Sequence, residues 1–233
     1  MRLHRFFVVQ KLPSEGTVTL TDEKTLHQWR NVLRLKAGAE VVLFDGYGAD
    51  YRSEIVALEK NEATCVIREV VENEVAPLRE LVLFPALVKK DHFEWLLEKV
   101  TELGVSEIRP IVSDRSEVKK VNLERARDIV KEATEQSGRG TLPRVYGEVL
   151  LKQALTEKQV LHCIAFDRAG QALSKADLSA NAKIGAFIGP EGGWSPHELE
   201  LFSEYKIPLY SLGTATLRAE TAGVAVTALL LLQ

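Results

Sequence analysis

The residue pattern changes once along this chain, and that change constrains the fold more than any single motif does. Up to about residue 70 the segments 5–9, 18–20, 41–44, 53–58 and 63–70 are short and rich in β-branched or aromatic residues. Turn signals separate them: Pro13-Ser14-Glu15-Gly16, Asp45-Gly46-Tyr47-Gly48 and Lys60-Asn61-Glu62. One helix is expected, over 22–33. Several short strands at this spacing predict a small β-barrel. Residues 71–77 are acidic, end in proline and read as a linker. Beyond them strand-like and helix-like segments alternate: 81–84, 91–103, 107–111, 123–136, 160–166, 183–188, 196–205, 208–212 and 219–232. That alternation predicts an α/β domain with a mostly parallel sheet. The expected division is a barrel over 1–72 and an α/β domain over 73–233.

Two helices carry local signals. Phe93, Leu96, Leu97, Val100 and Leu103 recur at helical spacing, and Gly104 stands where a C-terminal cap belongs. Ser195, Pro196 and Glu198 form an N-cap, a first-turn proline and a capping-box partner. The glycine-rich GPEGGWSP segment therefore feeds directly into a helix N-terminus.

Composition excludes several classes. Of 233 residues, 45% are hydrophobic and 27% charged, with a net charge of -3, so a packed core is expected rather than disorder. Cys65 and Cys163 form no CxxC pair, which argues against a disulfide framework or a structural zinc site and for a reducing cytoplasm. The apolar run 6–9 is too short for a signal-peptide core. The run 222–232 falls short of the ~20 residues of a membrane span. There is no GxGxxG, no GxxxxGK[ST] and no GxSxG. His197-Glu198 opens a zincin-like pattern, but Leu201 stands where the second histidine is required. The pair reads as helix N-terminal residues, and no metal is expected.

Three segments fall at the carboxyl ends of expected strands, the edge at which open α/β sheets bind ligands. They are FPALVKKD at 84–91, IGPEGGW at 188–194 and LGTATLRAETA at 212–222. Glycines in the last two let the backbone turn tightly and a ligand approach its N–H and C=O groups.

These stretches resemble the RsmE family, the small-subunit ribosomal RNA (uracil-N3)-methyltransferases of the SPOUT superfamily. The resemblance runs through HRFFV, VLRLKAGAEVVLFDG, ALVKKDHFEWLLEKVTELGVSEIRPI, SDRSEV, EATEQSGR with the LP that follows, IGPEGGWSPHELELF and LGTATLRAETAGVAV. It covers essentially the whole chain in order. It implies a PUA-like RNA-binding barrel followed by a SPOUT α/β domain with a C-terminal deep trefoil knot. It further implies a homodimer and S-adenosylmethionine as cofactor, with methyl transfer to N3 of a uridine in 16S ribosomal RNA near the decoding region. The cofactor residues so implied are Leu87, Ile188, Gly189, Pro190, Glu191, Gly192, Gly193, Leu212, Gly213, Thr216 and Leu217.

The chemistry requires N3 of the uracil to lose a proton, so a cation beside the base favours the reactive anion. Arg218 is the candidate, and pairing with Glu220 or Glu191 is the bland alternative. Glu191 is a candidate base or a partner that orients Arg218, with a structural acceptor of loop N–H groups as the equal alternative, and water is the other candidate to take the proton. For RNA contact the candidates are His27, Arg30 and Arg34, at i, i+3 and i+7, with Lys36, Arg5, Lys89 and Lys90. Arg2 and His4 add charge beside Phe6 and Phe7. Arg115, Lys119, Lys120 and Arg139 are weaker candidates. Trp95 and Trp194 are candidates for stacking on a base, with Trp95 the more expected in the core. Two other functions compete: a non-catalytic RNA-binding or ribosome assembly protein, and a SPOUT enzyme acting on a tRNA ribose.

Overall fold

The computed structural model describes residues 3–75, 77, 79–156, 162–174 and 183–232. Arg2, part of the linker over 71–77 and the first two residues of the strand expected over 160–166 lie outside these. The chain forms two compact units, Met1–Ala76 with Thr134–Leu142, and Pro77–Ala133 with Pro143–Gln233.

The first unit is built on a five-stranded sheet of order β1-β3-β4-β5-β2. β1 (Arg5–Phe7) runs parallel to β3 (Glu40–Phe44), while β4 (Ala49–Leu58), β5 (Ala63–Glu72) and β2 (Gly16–Leu20) pair antiparallel. On β4 and β5, Tyr51, Ser53, Ile55, Ala63, Cys65 and Ile67 are buried and their neighbours are more exposed, the two-residue period of a sheet with one covered face. Between β3 and β4, Gly46 and Gly48 take φ of +86° and +89°, a turn that other residues make only under strain. Burial pushes the Cys65 thiol up to about 12, so it stays neutral.

The helix expected over 22–33 is α1 (Glu23–His27), capped by Asp22, continuing as a π-helical turn over Gln28–Val32. The wide turn lets fully buried Trp29 meet Phe6, with ring centroids 5.0 Å apart. Arg34 follows it in the left-handed region at φ +54°. His27, Arg30 and Arg34 therefore do not share one α-helical face; the expected row is broken by the π turn.

Arg5 is also placed differently from its expectation. Its guanidinium forks onto the Asp50 carboxylate, donates to the Arg139 carbonyl at 3.0 Å and lies over the Phe44 ring. With its side chain 9% exposed, it is committed to the fold rather than free for phosphate. Arg139 is likewise buried, and burial lowers its pKa to about 10.

The second unit holds a parallel six-stranded sheet of order β13-β11-β12-β6-β7-β9. Its strands are β6 (Glu80–Pro85), β7 (Glu107–Ile108), β9 (Arg144–Val145), β11 (His162–Ala172), β12 (Lys183–Ile188) and β13 (Leu209–Ser211). Leu81–Phe84 and residues 184–188 are continuously buried, as strands covered on both faces must be. The segment expected as one strand over 107–111 is two: β7, and β8 (Ile111–Val112), which pairs with β10 (Val149–Leu150) in a separate small sheet. Pro110, which has no N–H to give a ladder, stands at the break.

The helices α2 (Lys90–Glu102), α3 (Leu123–Ser137), α5 (Pro196–Glu204) and α6 (Ala219–Leu231) occupy the four helical segments expected beyond residue 77. A short α4 (Leu151–Thr156) was not foreseen. α2 ends as its sequence implies. Gly104 at φ +108° lets Val105 N–H reach the Val100 carbonyl at 3.0 Å. Among the described residues no helix is long and apolar enough to cross a membrane.

A charged cluster ties the amino-terminal edge of this sheet. Glu107, 3% exposed, accepts from Arg109 at 2.8 Å and from Lys183 at 3.2 Å. Burial alone would raise its pKa, but those two hydrogen bonds and charges outweigh it and hold the carboxyl below the usual range. The opposite, carboxyl-terminal edge carries the cavity.

Candidate active site

Strands β12, β11 and β13 are neighbours, so the loops leaving their carboxyl ends converge. They enclose one cavity. Ile188, Gly189, Pro190, Glu191 and Gly193 line it from the loop after β12, and Leu212, Gly213, Thr216 and Leu217 from the loop after β13. Nine of the eleven expected cofactor residues thus share one hollow. Gly192 and Leu87 do not line it. Gly192 turns its carbonyl to Arg115 Nη1 at 2.7 Å. Leu87 is 1% exposed and borders a different hollow, with Phe93 and Leu97 of α2 and Ala126 of α3. The loop after β6 starts from the same sheet edge but turns Leu87 under α2 instead.

The cavity also uses residues that the sequence reading missed. Phe166 is the last residue of β11 paired with β12, Asp167 and Arg168 continue β11 past it, and Ala219 and Ala222 present the first turn of α6. An aspartate and an arginine directly after the apolar run of a strand are the local trace of this, but they point to the cavity only once the strand order is known.

The wall formed by 189–195 is shaped by Trp194. Its indole N–H donates to the Phe166 carbonyl at 2.9 Å, and its ring packs edge-on against Phe202. A Cβ on Gly189 would lie 3.1 Å from that ring, so glycine gives the indole its seat. Trp194 is 4% exposed and is core, not a stacking platform. Trp95, expected in the core, is 42% exposed, because α2 buries Phe93, Leu96 and Leu97 and turns residue 95 outward. Pro190 to Gly193 close as a β-turn, with Gly193 N–H on the Pro190 carbonyl at 2.9 Å and Gly193 at φ +67°. Glu191 sits exposed at its tip.

Downstream of that turn, α5 begins with both halves of the capping box. Glu198 N–H donates to Ser195 Oγ at 3.1 Å, and Ser195 N–H to Glu198 Oε2 at 2.8 Å. Ser195 Oγ in turn donates to Asp114 Oδ2 at 2.5 Å. That hydrogen bond, with help from His197 and Lys119, holds the Asp114 carboxyl below its usual value against the opposing effect of burial. A depressed value means that the carboxylate's contribution is present above the ordinary aspartate range and is lost as pH falls through the lowered value.

Arg218 is the N-cap residue of α6. It is exposed, and its carbonyl accepts the Ala222 N–H at 2.8 Å. Among the described residues no ion pair holds its guanidinium. Glu220, the bland partner, turns instead to His92 Nδ1 at 3.6 Å. Lys89 and Lys90 are exposed, at 3.8 Å from Glu117 and Glu94 respectively. His27, Arg34 and Lys36 are exposed on the first unit, and Arg30 is half-buried with Nε on the Leu26 carbonyl.

Comparison with known proteins places this arrangement. Residues 74–231 match the model of the RNA methyltransferase domain, and residues 30–68 that of the RNA methyltransferase PUA domain. The ribosomal RNA small subunit methyltransferase E of Rickettsia conorii is 30% identical over 96% of this chain and 93% of its own. That of Synechocystis is 34% identical over 94% of this chain and 74% of its own. Among solved structures, the Neisseria gonorrhoeae methyltransferase E bound to S-adenosyl methionine superposes with a TM-score of 0.90. It is 29% identical and covers 98% of this chain and 96% of its own. A putative methyltransferase from Legionella pneumophila in complex with the same cofactor gives a TM-score of 0.92 at 25% identity, over 99% and 97% of the two chains. With a family model spanning more than half its length and relatives of this kind along nearly all of it, the chain belongs to the ribosomal RNA small subunit methyltransferase E family.

Proposed function

We propose that this protein transfers a methyl group from S-adenosylmethionine to N3 of a uridine in the RNA of the small ribosomal subunit, near its decoding region. The observation that carries the reading is the single cavity shared by the loops 188–194 and 211–217 at the carboxyl edge of a parallel sheet. Its residues fit the donor. Ile188, Leu212, Leu217, Ala219 and Ala222 give apolar walls for a purine, and the glycine-rich backbone offers N–H and C=O groups to its polar edges. Asp167 brings a carboxylate suited to hydroxyls or to positive charge. Bound there, the donor supplies an electrophilic methyl on a sulfonium.

The chain's own groups do the rest. Arg218 stabilises the uracil anion left when N3 loses its proton, through charge-assisted hydrogen bonds to the base carbonyls. Glu191, exposed at the tip of its turn, takes the proton or orients Arg218. The RNA is held by His27, Arg30, Arg34 and Lys36 of the PUA-like unit and by Lys89 and Lys90 at the head of α2. The domain of this reading is of the SPOUT type, with its C-terminal segment knotted, and it works in the cytoplasm as a homodimer. α6 favours a second copy: it is apolar on nearly all sides, yet Val224, Ala225 and Leu229 remain half-exposed.

The test is product analysis. Incubation with methyl-labelled cofactor and small-subunit particles or RNA is expected to yield N3-methyluridine. A ribose-methylated nucleoside from transfer RNA, or RNA binding without transfer, would support the competing readings.

A further inference from the structure

The loop that follows β8 is latched onto the cavity wall. The segment Ser113 to Lys119 is folded on itself: Ser116 N–H donates to the Ser113 carbonyl at 3.1 Å, and Lys119 Nζ reaches the same carbonyl at 3.1 Å. From this compact base two side chains and one backbone group reach the 190–198 segment. Arg115 Nη1 donates to the Gly192 carbonyl at 2.7 Å, and Asp114 Oδ2 accepts from Ser195 Oγ. The Asp114 N–H donates to Glu198 Oε1 at 3.1 Å, so the 1%-exposed Glu198 carboxylate joins both loops. The Arg115 contact is the informative one. The peptide between Gly192 and Gly193 has its carbonyl on Arg115 and its N–H on the Pro190 carbonyl, so both of its ends are fixed. The stem of Arg115 also covers Gly192, where an added Cβ would meet its Cδ at 3.3 Å.

We infer that Arg115 and Asp114 are positioning residues that hold the 189–194 turn in the shape that receives the methyl donor. They do not line the cavity themselves, so their effect passes through Gly192 and Ser195. A flexible four-residue turn would have to be ordered when the donor binds, and the conformational entropy lost in ordering it opposes binding. The latch meets that cost during folding, as preorganisation does elsewhere.

This inference rests on the cofactor reading of the cavity, and its experiment separates the two. S-adenosylmethionine is titrated calorimetrically into the unaltered protein and into Arg115→Ala, Arg115→Lys and Asp114→Ala, without RNA, and the steady-state constants are then measured with it. Arg115→Ala is expected to weaken donor binding ~10-fold, the loss of one charge-assisted hydrogen bond. KM for the donor rises by the same factor while kcat at saturating donor is retained. Arg115→Lys recovers much of the loss, because an ammonium still reaches a carbonyl. Asp114→Ala weakens binding in the same sense. Donor affinity in Arg115→Ala equal to that of the unaltered protein overturns the latch and leaves the cavity reading standing. A loss of melting temperature with no selective rise in KM assigns Arg115 to the fold alone and also overturns it. Absence of binding by the unaltered protein overturns the cavity reading, and the latch with it.

Discussion

Arg218→Ala is expected to fold and to bind S-adenosylmethionine within about threefold of the unaltered protein, yet to lose ~10²–10³-fold in methyl transfer, the usual cost of removing one donor to a developing anion. The fold does not need this guanidinium. Arg218 caps α6 through its backbone carbonyl, which accepts the Ala222 N–H at 2.8 Å, and its side chain makes no cap hydrogen bond. A cation at a helix N-terminus is disfavoured by the helix dipole. The anionic base of the proposed reaction would account for a charge placed there at a small cost to stability, beside a loop that lines the cavity. Single-turnover transfer measured next to donor affinity separates the two effects. Near-normal transfer by the variant would remove Arg218 from the mechanism.

Gly170→Ala is expected to act from further away and to damage both stability and the cavity. A Cβ at this position would stand 2.5 Å from the Tyr210 carbonyl carbon and 2.7 Å from the Tyr210 nitrogen, both backbone atoms of β13. No side-chain rotation relieves that contact, so β11 and β13 must part. The pairing is already irregular there, its register shifting between Phe166 and Gln171. Overpacking of this kind costs ~1–3 kcal/mol, and each kcal/mol lowers the melting temperature of a chain this size by ~2–4 °C. Because β13 ends in Ser211 and leads directly into Leu212 and Gly213, all three in the cavity wall, donor affinity falls as well. A variant that melts with the unaltered protein would show that the strand yields freely at this point.

Where local signals and global packing agree, the sequence was legible. The capping box at Ser195 and Glu198, the glycine that ends α2 and the buried run of β12 were each readable, because the residues that fix them are neighbours in the chain. The two glycine-rich loops were readable as loops at strand carboxyl ends for the same reason, and both line the cavity. Three features depended on distant partners and were not. Arg5 looks like a surface cation until Asp50, which follows it by 45 residues, closes on it. Trp194 looks like a free aromatic until β11 supplies the carbonyl that its indole binds. The Asp167 and Arg168 contribution to the cavity appears only once β11 is known to lie between β12 and β13. The π turn after α1 is a different failure. Its helical periodicity was correct for five residues and then gave way to a wider turn that seats Trp29.

The most direct measurement is a crystal structure of this protein grown with S-adenosylmethionine. The donor is expected between the 188–193 and 211–217 backbones, its sulfonium on the side from which Arg218 is reached, with Arg115 still on the Gly192 carbonyl. Density for the donor elsewhere on the molecule, or those two loops closed on each other with no room between them, would contradict the account.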